Sequence, residues 1–502
     1  MGSAGTAPGD SGDPAAGNGK EAVDTIVTLE KRTVRREAAA SSPRRAALPA
    51  LLVLLLSMGP GSLAGKASAN SWRTFGFGPR ATAMAGAFCA VADDYSAGYY
   101  NPAGILLHPG TQFGFGFQYV KENLLANGAE VEMSRDTNGL FLGGSMVIPF
   151  TDALKDRVAF GYYFFQPLFY SLDLQIPETT LPQYPTLESM ARMQILHVVV
   201  AFDLAPGFLI GGGLTVSSDL GGALDLQPGI GGFGGVKEIV SAVDQEVHPI
   251  LSGTAGLIFR PGRFLRSLEP LTLGFTWRQK HSLDLDIPVS VVLSGFLLDL
   301  DLTSTFLYTP TQWVGGLSYR LSPDLLLSCD VSYNEWSGFQ VPSLSIATKI
   351  DIPFIVLKEG VNDPPGFSDT VTPRLGLEVR PYRGDRADGF LRAGYAFEPS
   401  PVPEQSGRSN YLDSDRHIFA WGAGVLFKRL LGKDLSRKPL SFDVGVAYHW
   451  LPERKHAKAS WVRPDNPGYP EIASSGNVWT FTCGFRYGGR PAGGEEESSR
   501  GP

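Results

Sequence analysis

From residue 111 onward, apolar and polar residues alternate in steps of two. In 111–120, Phe113, Phe115, Phe117 and Tyr119 share one parity, and Gln112, Gly114, Gly116 and Gln118 share the other. A strand points successive side chains to opposite faces, so this pattern predicts a strand with one apolar and one polar face. The same reading predicts strands at 111–120, 138–149, 157–165, 194–203, 207–217, 249–260, 271–279, 311–321, 324–334, 370–381, 389–398, 416–428, 440–450 and 477–487. Each has about the 9–11 residues that a tilted membrane-crossing strand needs, or slightly more. In the last, Trp479, Phe481, Cys483, Phe485 and Tyr487 oppose Thr480, Thr482, Gly484 and Arg486. In 324–334, Leu325, Leu327, Val331 and Tyr333 oppose Ser328, Asp330, Ser332 and Asn334.

Charges follow the same rule. Arg278, Asp330, Arg374, Glu378, Arg392 and Asp443 all lie on the face away from the aromatics. A cation facing lipid at the bilayer midplane costs about 2–4 kcal/mol, so the aromatic face is the one expected to meet lipid. A soluble β-sandwich also alternates, but it keeps the apolar face inside and carries more Lys and Glu outside. Connection lengths agree with a barrel: long ones (121–137, 166–193, 218–248, 280–310, 335–369, 399–415, 451–476) alternate with short ones (150–156, 204–206, 261–270, 322–323, 382–388, 429–439). Long outer loops and short inner turns are the asymmetry of outer-membrane barrels. The predicted fold is therefore all-β: a 14-stranded antiparallel transmembrane β-barrel over 109–487, in an outer membrane, with an N-terminal plug inside the lumen. The plug is expected at 70–108, where Gly76, Gly78, Gly86 and many alanines suit tight packing. A lumen of this size needs filling if it is not to be an open pore.

The N-terminus supports export. Arg44 and Arg45 precede an apolar run from Ala46 to Leu56, and Ala67, Ser68 and Ala69 follow. The run is about half of what a spanning helix needs. Charged flank, short apolar core and small-residue site predict a signal peptide at 46–69, cleaved after Ala69. Residues 1–45 are expected to be a disordered or mis-annotated N-terminal extension, and 488–502 a polar C-terminal tail.

Composition excludes other classes. The formal net charge is −7 and only 19% of residues are charged, with no clustered basic face for nucleic acid. Cys89, Cys329 and Cys483 are too few and too far apart for a disulfide framework or zinc site. The seven histidines form no HExxH pair, no serine sits in a G-x-S-x-G elbow and no Walker loop is present. No catalytic residue, metal or cofactor is expected. A hydrolase that assembles Ser and His across strands, and a general porin, are the remaining alternatives to a selective transporter.

Several motifs occur in order: Gly76-Phe77-Gly78-Pro79-Arg80 through Asp93-Asp94, Asn101-Pro102-Ala103-Gly104, Trp336-Ser337-Gly338-Phe339, Thr372-Pro373-Arg374-Leu375-Gly376, Arg392 to Tyr395, Ser400-Pro401-Val402-Pro403, and Leu412-Asp413-Ser414-Asp415-Arg416-His417. Together they resemble the FadL/TodX family of outer-membrane transporters for long-chain fatty acids and aromatic hydrocarbons. The resemblance implies passive uptake of hydrophobic compounds, most of all long-chain fatty acids, through a plugged barrel, with aromatic or alkane hydrocarbons as the alternative cargo. It implies a hydrophobic small-molecule ligand, surrounding outer-membrane lipid and the barrel assembly machinery as partners. Asn101, Pro102 and Ala103 are the plug motif: Pro102 fixes the backbone and Asn101 can bond its neighbours. Among lumen-parity residues, Arg278, Arg374 and Arg392 are candidates for a carboxylate headgroup, which guanidinium binds bidentately. Alternatively they pair with Glu378, Asp330 or Asp443. Phe141 and Phe390, with Val147, Leu326 and Ile418, offer apolar lumen surface. Apolar runs at Leu168, Phe169, Tyr170, Leu172 and Leu174, and at Val291, Val292, Leu293, Phe296, Leu297 and Leu298, are expected in outer loops, as an interaction surface or packed on one another.

Overall fold

The computed structural model describes residues 76–107, 110–131, 136–151, 154–168, 180–187, 194–228, 239–293, 296–339, 347–348, 365–460 and 466–488. The extension, the signal peptide, the first residues of the expected plug, nearly all of the tail, and Phe169, Tyr170, Leu172 and Leu174 lie outside them.

Fourteen strands form the wall. They are β1 (Gln112–Ala126), β2 (Thr137–Val147), β3 (Val158–Pro167), β4 (Ile195–Ala205), β5 (Phe208–Pro228), β6 (Ile239–Phe259) and β7 (Leu271–Arg278). Then follow β8 (Gln312–Ser322), β9 (Leu325–Asn334), β10 (Thr370–Arg383), β11 (Ala387–Glu398), β12 (Arg416–Phe427), β13 (Leu440–Ala457) and β14 (Glu471–Gly488). Each pairs antiparallel with the next, and β14 returns to β1 with Phe115 opposite Phe485. Closure gives every strand two partners, so no unpaired sheet edge faces hydrocarbon. The parity is as the sequence predicts. Phe115, Trp421 and Leu375 of the aromatic face are 49%, 46% and 55% exposed, while Asp330, Arg392 and Asp443 are buried.

In two connections expected as loops, 218–248 and 280–310, most of the described residues are strand. β5 and β6 run for 21 residues each, well past the predicted 207–217 and 249–260. Residues 280–310 hold a hairpin, His281–Leu293 against Phe296–Thr309, whose first strand also pairs parallel with β5 at Leu224 to Leu226. The runs Val291–Leu293 and Phe296–Leu298 are thus strand. The cause is visible afterwards: Leu283-Asp284-Leu285-Asp286 and Leu298-Asp299-Leu300-Asp301 keep a period of two. Alternation signals a paired strand without saying whether it lies in the membrane or continues beyond it.

Residues 76–107 fold on the inner face of this wall. They form two single turns, Pro79–Thr82 and Ala97–Tyr100, and a 3₁₀ turn, Pro102–Leu106. Nearly all are buried. Small residues let this segment lie backbone to backbone with the wall. A Cβ at Gly394 would come 2.3 Å from the Met84 carbonyl carbon, and one at Gly445 2.4 Å from the Pro79 carbonyl oxygen. Inward glycines stand side by side across strand pairs, Gly211 with Gly256, Gly376 with Gly394 and Gly422 with Gly445. On the β2–β3 side aromatics replace them. Tyr95 stacks on Tyr163 at 6.4 Å and Phe77 packs on Tyr163 at 4.6 Å.

Glycine at 394 is therefore a close-approach requirement. Gly394→Val should destabilise the folded barrel by about 1–3 kcal/mol through overpacking and raise ion leak across planar bilayers by displacing the segment. Gly315→Val, at an outward position with nothing within 4 Å, should change neither. Equal melting and conductance in the two variants would refute the close-approach argument.

Candidate ligand path through the barrel

Arg80 is the one cation in the inner segment. Its guanidinium binds Asp93 within the segment and reaches Glu378 of β10 at 2.7 and 3.1 Å. Glu378 also takes Arg392 at 2.7 Å, and Arg392 binds Asp443 of β13 at 2.7 Å. Three carboxylates and two guanidinium groups thus stitch the segment to three strands. Burial works against the Arg80 charge, and Asp93 and Glu378 outweigh it, holding Arg80 firmly protonated.

Four residues nearer the long-loop end of β10, Arg374 begins a second polar layer. It donates to Ser332 Oγ at 2.6 Å and to Glu398 at 2.8 Å, and Arg416 takes the other Glu398 oxygen at 2.9 Å. Arg416 Nη1 is buried without a hydrogen-bond partner. Across the lumen, Arg278 caps the carbonyls of Tyr99 and Tyr100 at 2.8–3.0 Å and lies 4.6 Å over the Tyr99 ring. Asp330 accepts the backbone N–H groups of Phe88 and Cys89 at 2.8 Å each. Burial, with Asp330 adding to it, pushes the Cys89 thiol up to about 12, so it stays a neutral, inert thiol. Arg278, Asp330, Arg374, Glu398 and His449 surround a cavity of about 60 Å³. That is room for about two waters, against the 300–1,000 Å³ of a typical small-molecule pocket.

An apolar layer covers this polar one. Val120, Leu124, Leu451, Ile472 and Val478 on the inner faces of β1, β13 and β14 pack with Tyr184, Leu187 and Leu412 from the long connections. The Tyr184 hydroxyl donates to Leu125 O at 2.6 Å. Beside it Phe339 stacks on Phe367 at 4.5 Å, with Tyr308, Trp336, Val402 and Tyr411 around them. Motifs far apart in sequence meet here: Trp336 and Phe339 from one, Val402 from another, Leu412 from a third.

The candidate residues separate. Arg278 and Arg374 face the same cavity; Arg392 lies in the deeper network. Phe141 is 1% exposed beneath Tyr95, and Phe390 lies half-buried under the Arg392 guanidinium at 5.5 Å. Asn101 donates to Cys89 O at 3.0 Å and Leu257 O of β6 at 3.1 Å, and accepts from Ala103 N at 3.2 Å. Pro102 opens the 3₁₀ turn, and Ala103 sits against Gly211. Arg80 and Arg416 stand in the quoted motifs but not among the ligand candidates, and Glu398 and His449 are not among those candidates either. Parity alone places the last three on the inner face, and Arg80 stands out as a lone cation among small residues.

A family model described as outer membrane protein transport protein (OMPP1/FadL/TodX) matches residues 62–488, and the chain belongs to that family. It is 28% identical over 178 residues to the long-chain fatty acid transport protein of Escherichia coli K12, covering 36% of this chain and 33% of that protein. The alignment thus spans about a third of that relative's length. It is 22% identical over 428 residues to alkane uptake protein A of Marinobacter nauticus, covering 82% and 90%. A Pseudomonas aeruginosa FadL homologue shares the fold, with a TM-score of 0.55 at 15% identity over 82% of this chain and 98% of that one. The chain is thus an outer-membrane β-barrel of that transport-protein family.

Removing one member of the buried charge network should be costly, because it leaves cations underpaired in a dry interior. Glu378→Gln is expected to lower stability to urea by about 3 kcal/mol or more, read from loss of heat-modifiable gel migration. Arg383→Gln removes a half-exposed contact to Asp324, expected to be worth under about 1 kcal/mol. Similar losses in both would mean the network does not hold the segment.

Proposed function

We propose that the barrel takes up long-chain fatty acids by passive diffusion, residues 70–108 serving as the plug that closes the pore at rest. The observation that carries this reading is the order of the two upper layers: an apolar cluster toward the long-loop ends of β1, β13 and β14, and farther in Arg374 and Arg416, which share Glu398 while Arg416 Nη1 has no hydrogen-bond partner. An acyl chain suits the first layer, and its carboxylate suits the second through charge-assisted hydrogen bonds. Arg278 and Arg392 serve the interior instead, since their guanidinium groups are spent on the inner segment and on Glu378 and Asp443. Asn101, Pro102 and Ala103 hold the plug, and Phe141 and Phe390 pack beneath ligand depth. No energy source or cofactor enters.

A cavity of about 60 Å³ cannot hold the tail. Entry therefore requires Tyr184, Leu187 and Leu412 to give way, which also argues against a general porin. Alkanes or aromatic hydrocarbons are the second reading, favoured by the long alignment to an alkane uptake protein; they would use the apolar layer alone. Residues 46–69 are the export signal, lipid surrounds the aromatic face, and the barrel assembly machinery inserts the chain.

Arg374→Ala and Arg416→Ala should each weaken oleate binding about tenfold, the worth of one charge-assisted contact, and leave hexadecane binding unchanged. Titration of detergent-solubilised protein reads both. A wild type that binds hexadecane and no oleate would make hydrocarbon the cargo. Separately, the purified outer-membrane protein should begin near Asn70 by mass spectrometry; Met1 at its terminus would refute the signal.

A further inference from the structure

At the short-turn end of the barrel, Lys155 to Arg157, Asp203, Pro206, Gly207, Arg260 and Arg263 line a second and larger cavity, of about 510 Å³. Four cations line it, Lys155, Arg157, Arg260 and Arg263, against two carboxylates, Asp156 and Asp203, a surplus of two positive charges. Arg260 and Asp203 continue the inward parity of Ile258 and Ala201, which are fully buried, so the cavity opens on the lumen.

These cations are not matched by local anions. Arg157 spends Nε and Nη2 on the carbonyls of Asp203 and Leu204, each at 2.9 Å, fixing the turn without meeting a carboxylate. Arg260 Nε is buried with no hydrogen-bond partner. Among the described residues, no ion pair within 4.0 Å involves Lys155, Arg157, Arg260 or Arg263. Burial first, and then the neighbouring Arg263 cation, draw the Arg260 pKa down, with Asp203 opposing only in part. A bound anion would relieve both effects.

The surroundings add a direction. On the outer face at the same height, Phe208 stacks on Phe259 at 4.4 Å and Phe264 packs on Phe208 at 5.9 Å. Phe264 and Leu265 are 60% and 58% exposed. Such an aromatic girdle marks the membrane–water boundary, which sets the cavity at headgroup depth.

We propose that this cavity binds the oxyanion headgroup, carboxylate or phosphate, of an anionic amphiphile at the inner mouth of the barrel. Two sources present that chemistry: a fatty acid on its way out, or an anionic phospholipid of the surrounding leaflet. The site is independent of the cargo reading, because the phospholipid can fill it whatever the barrel carries.

The test uses the full mature protein in detergent, in an Arg416→Ala background that silences the upper headgroup position. Binding of oleate, dioleoyl phosphatidylglycerol, methyl oleate and dioleoyl phosphatidylcholine is compared with and without Arg260→Gln/Arg263→Gln by native mass spectrometry. The expected result is about a tenfold loss for an anionic amphiphile with none for the neutral ones. Loss confined to oleate assigns the headgroup to cargo, and loss confined to phosphatidylglycerol assigns it to membrane lipid. Unchanged binding of both anions, or equal loss for neutral and anionic ligands, overturns the site. Should the double variant lose heat-modifiable migration, Arg263→Gln alone, at an exposed position, carries the same comparison.

Discussion

The structure depends on one contact: a length of backbone pressed against the inner surface of a closed sheet with nothing but glycine between them. Hydrogen-bonded strands leave about 10 Å for side chains between packed faces, and the inner segment has to fit in less wherever it meets β5, β6, β10, β11, β12 and β13. Gly211, Gly256, Gly376, Gly394, Gly422 and Gly445 make that approach possible, and their pairing across neighbouring strands turns single gaps into a continuous shelf. Alanines and Met84 on the segment complete it. The wall and its filling are therefore one packing problem, and a methyl group added to either surface has to move the other.

Proximity of two backbones leaves polar groups to satisfy, and the charged network answers that need. Arg278 takes the carbonyls at the end of the Ala97–Tyr100 turn, Asp330 takes the N–H groups of Phe88 and Cys89, and Asn101 ties Cys89 to β6. Arg80 closes the arrangement by joining Asp93 to Glu378. Each contact spends a lumen-facing charge on the segment rather than on solvent. A charge facing a barrel interior therefore has two possible employers, the filling or the ligand. What separates Arg374 and Arg416 from Arg278 and Arg392 is their partners: Arg278 is taken by the inner segment and Arg392 by Glu378 and Asp443, whereas Arg374 and Arg416 share Glu398.

The layers have a consequence for transport. Apolar residues lie at the long-loop end, a polar ring follows, the packed segment comes next, and a basic mouth lies at the turn end. On the proposed reading, an amphiphile would meet, in order, a surface for its tail and a set of guanidinium groups for its head. The upper cavity, about 60 Å³, is far too small for a chain of carbons, so on that reading permeation requires rearrangement. Tyr184, in that apolar layer, is held by Leu125 and Ser475.

Much of this was legible in the chain. Strict parity in segments such as 111–120 and 477–487 determined the strands, their lipid face and their number, because lipid penalises every polar side chain on the wrong side. The small residues from Gly76 onward lie against the inner wall for the same steric reason that their partners there are glycines. Alternation does not say where the membrane ends, so the extensions of β5 and β6 and the hairpin from His281 to Thr309 fall in stretches expected as loops: pairing outside the bilayer obeys the same period. Nor could it divide the arginines. Parity places Arg278, Arg374, Arg392 and Arg416 on one face, but it does not name their partners, which are Glu378, Asp443 and Glu398 on other inner positions of the wall and, for Arg278, the carbonyl of Tyr99 in the inner segment. A sequence fixes which face a side chain takes because that is local geometry. Which neighbour it meets there is decided by the closure of the barrel and by how the inner segment fills it.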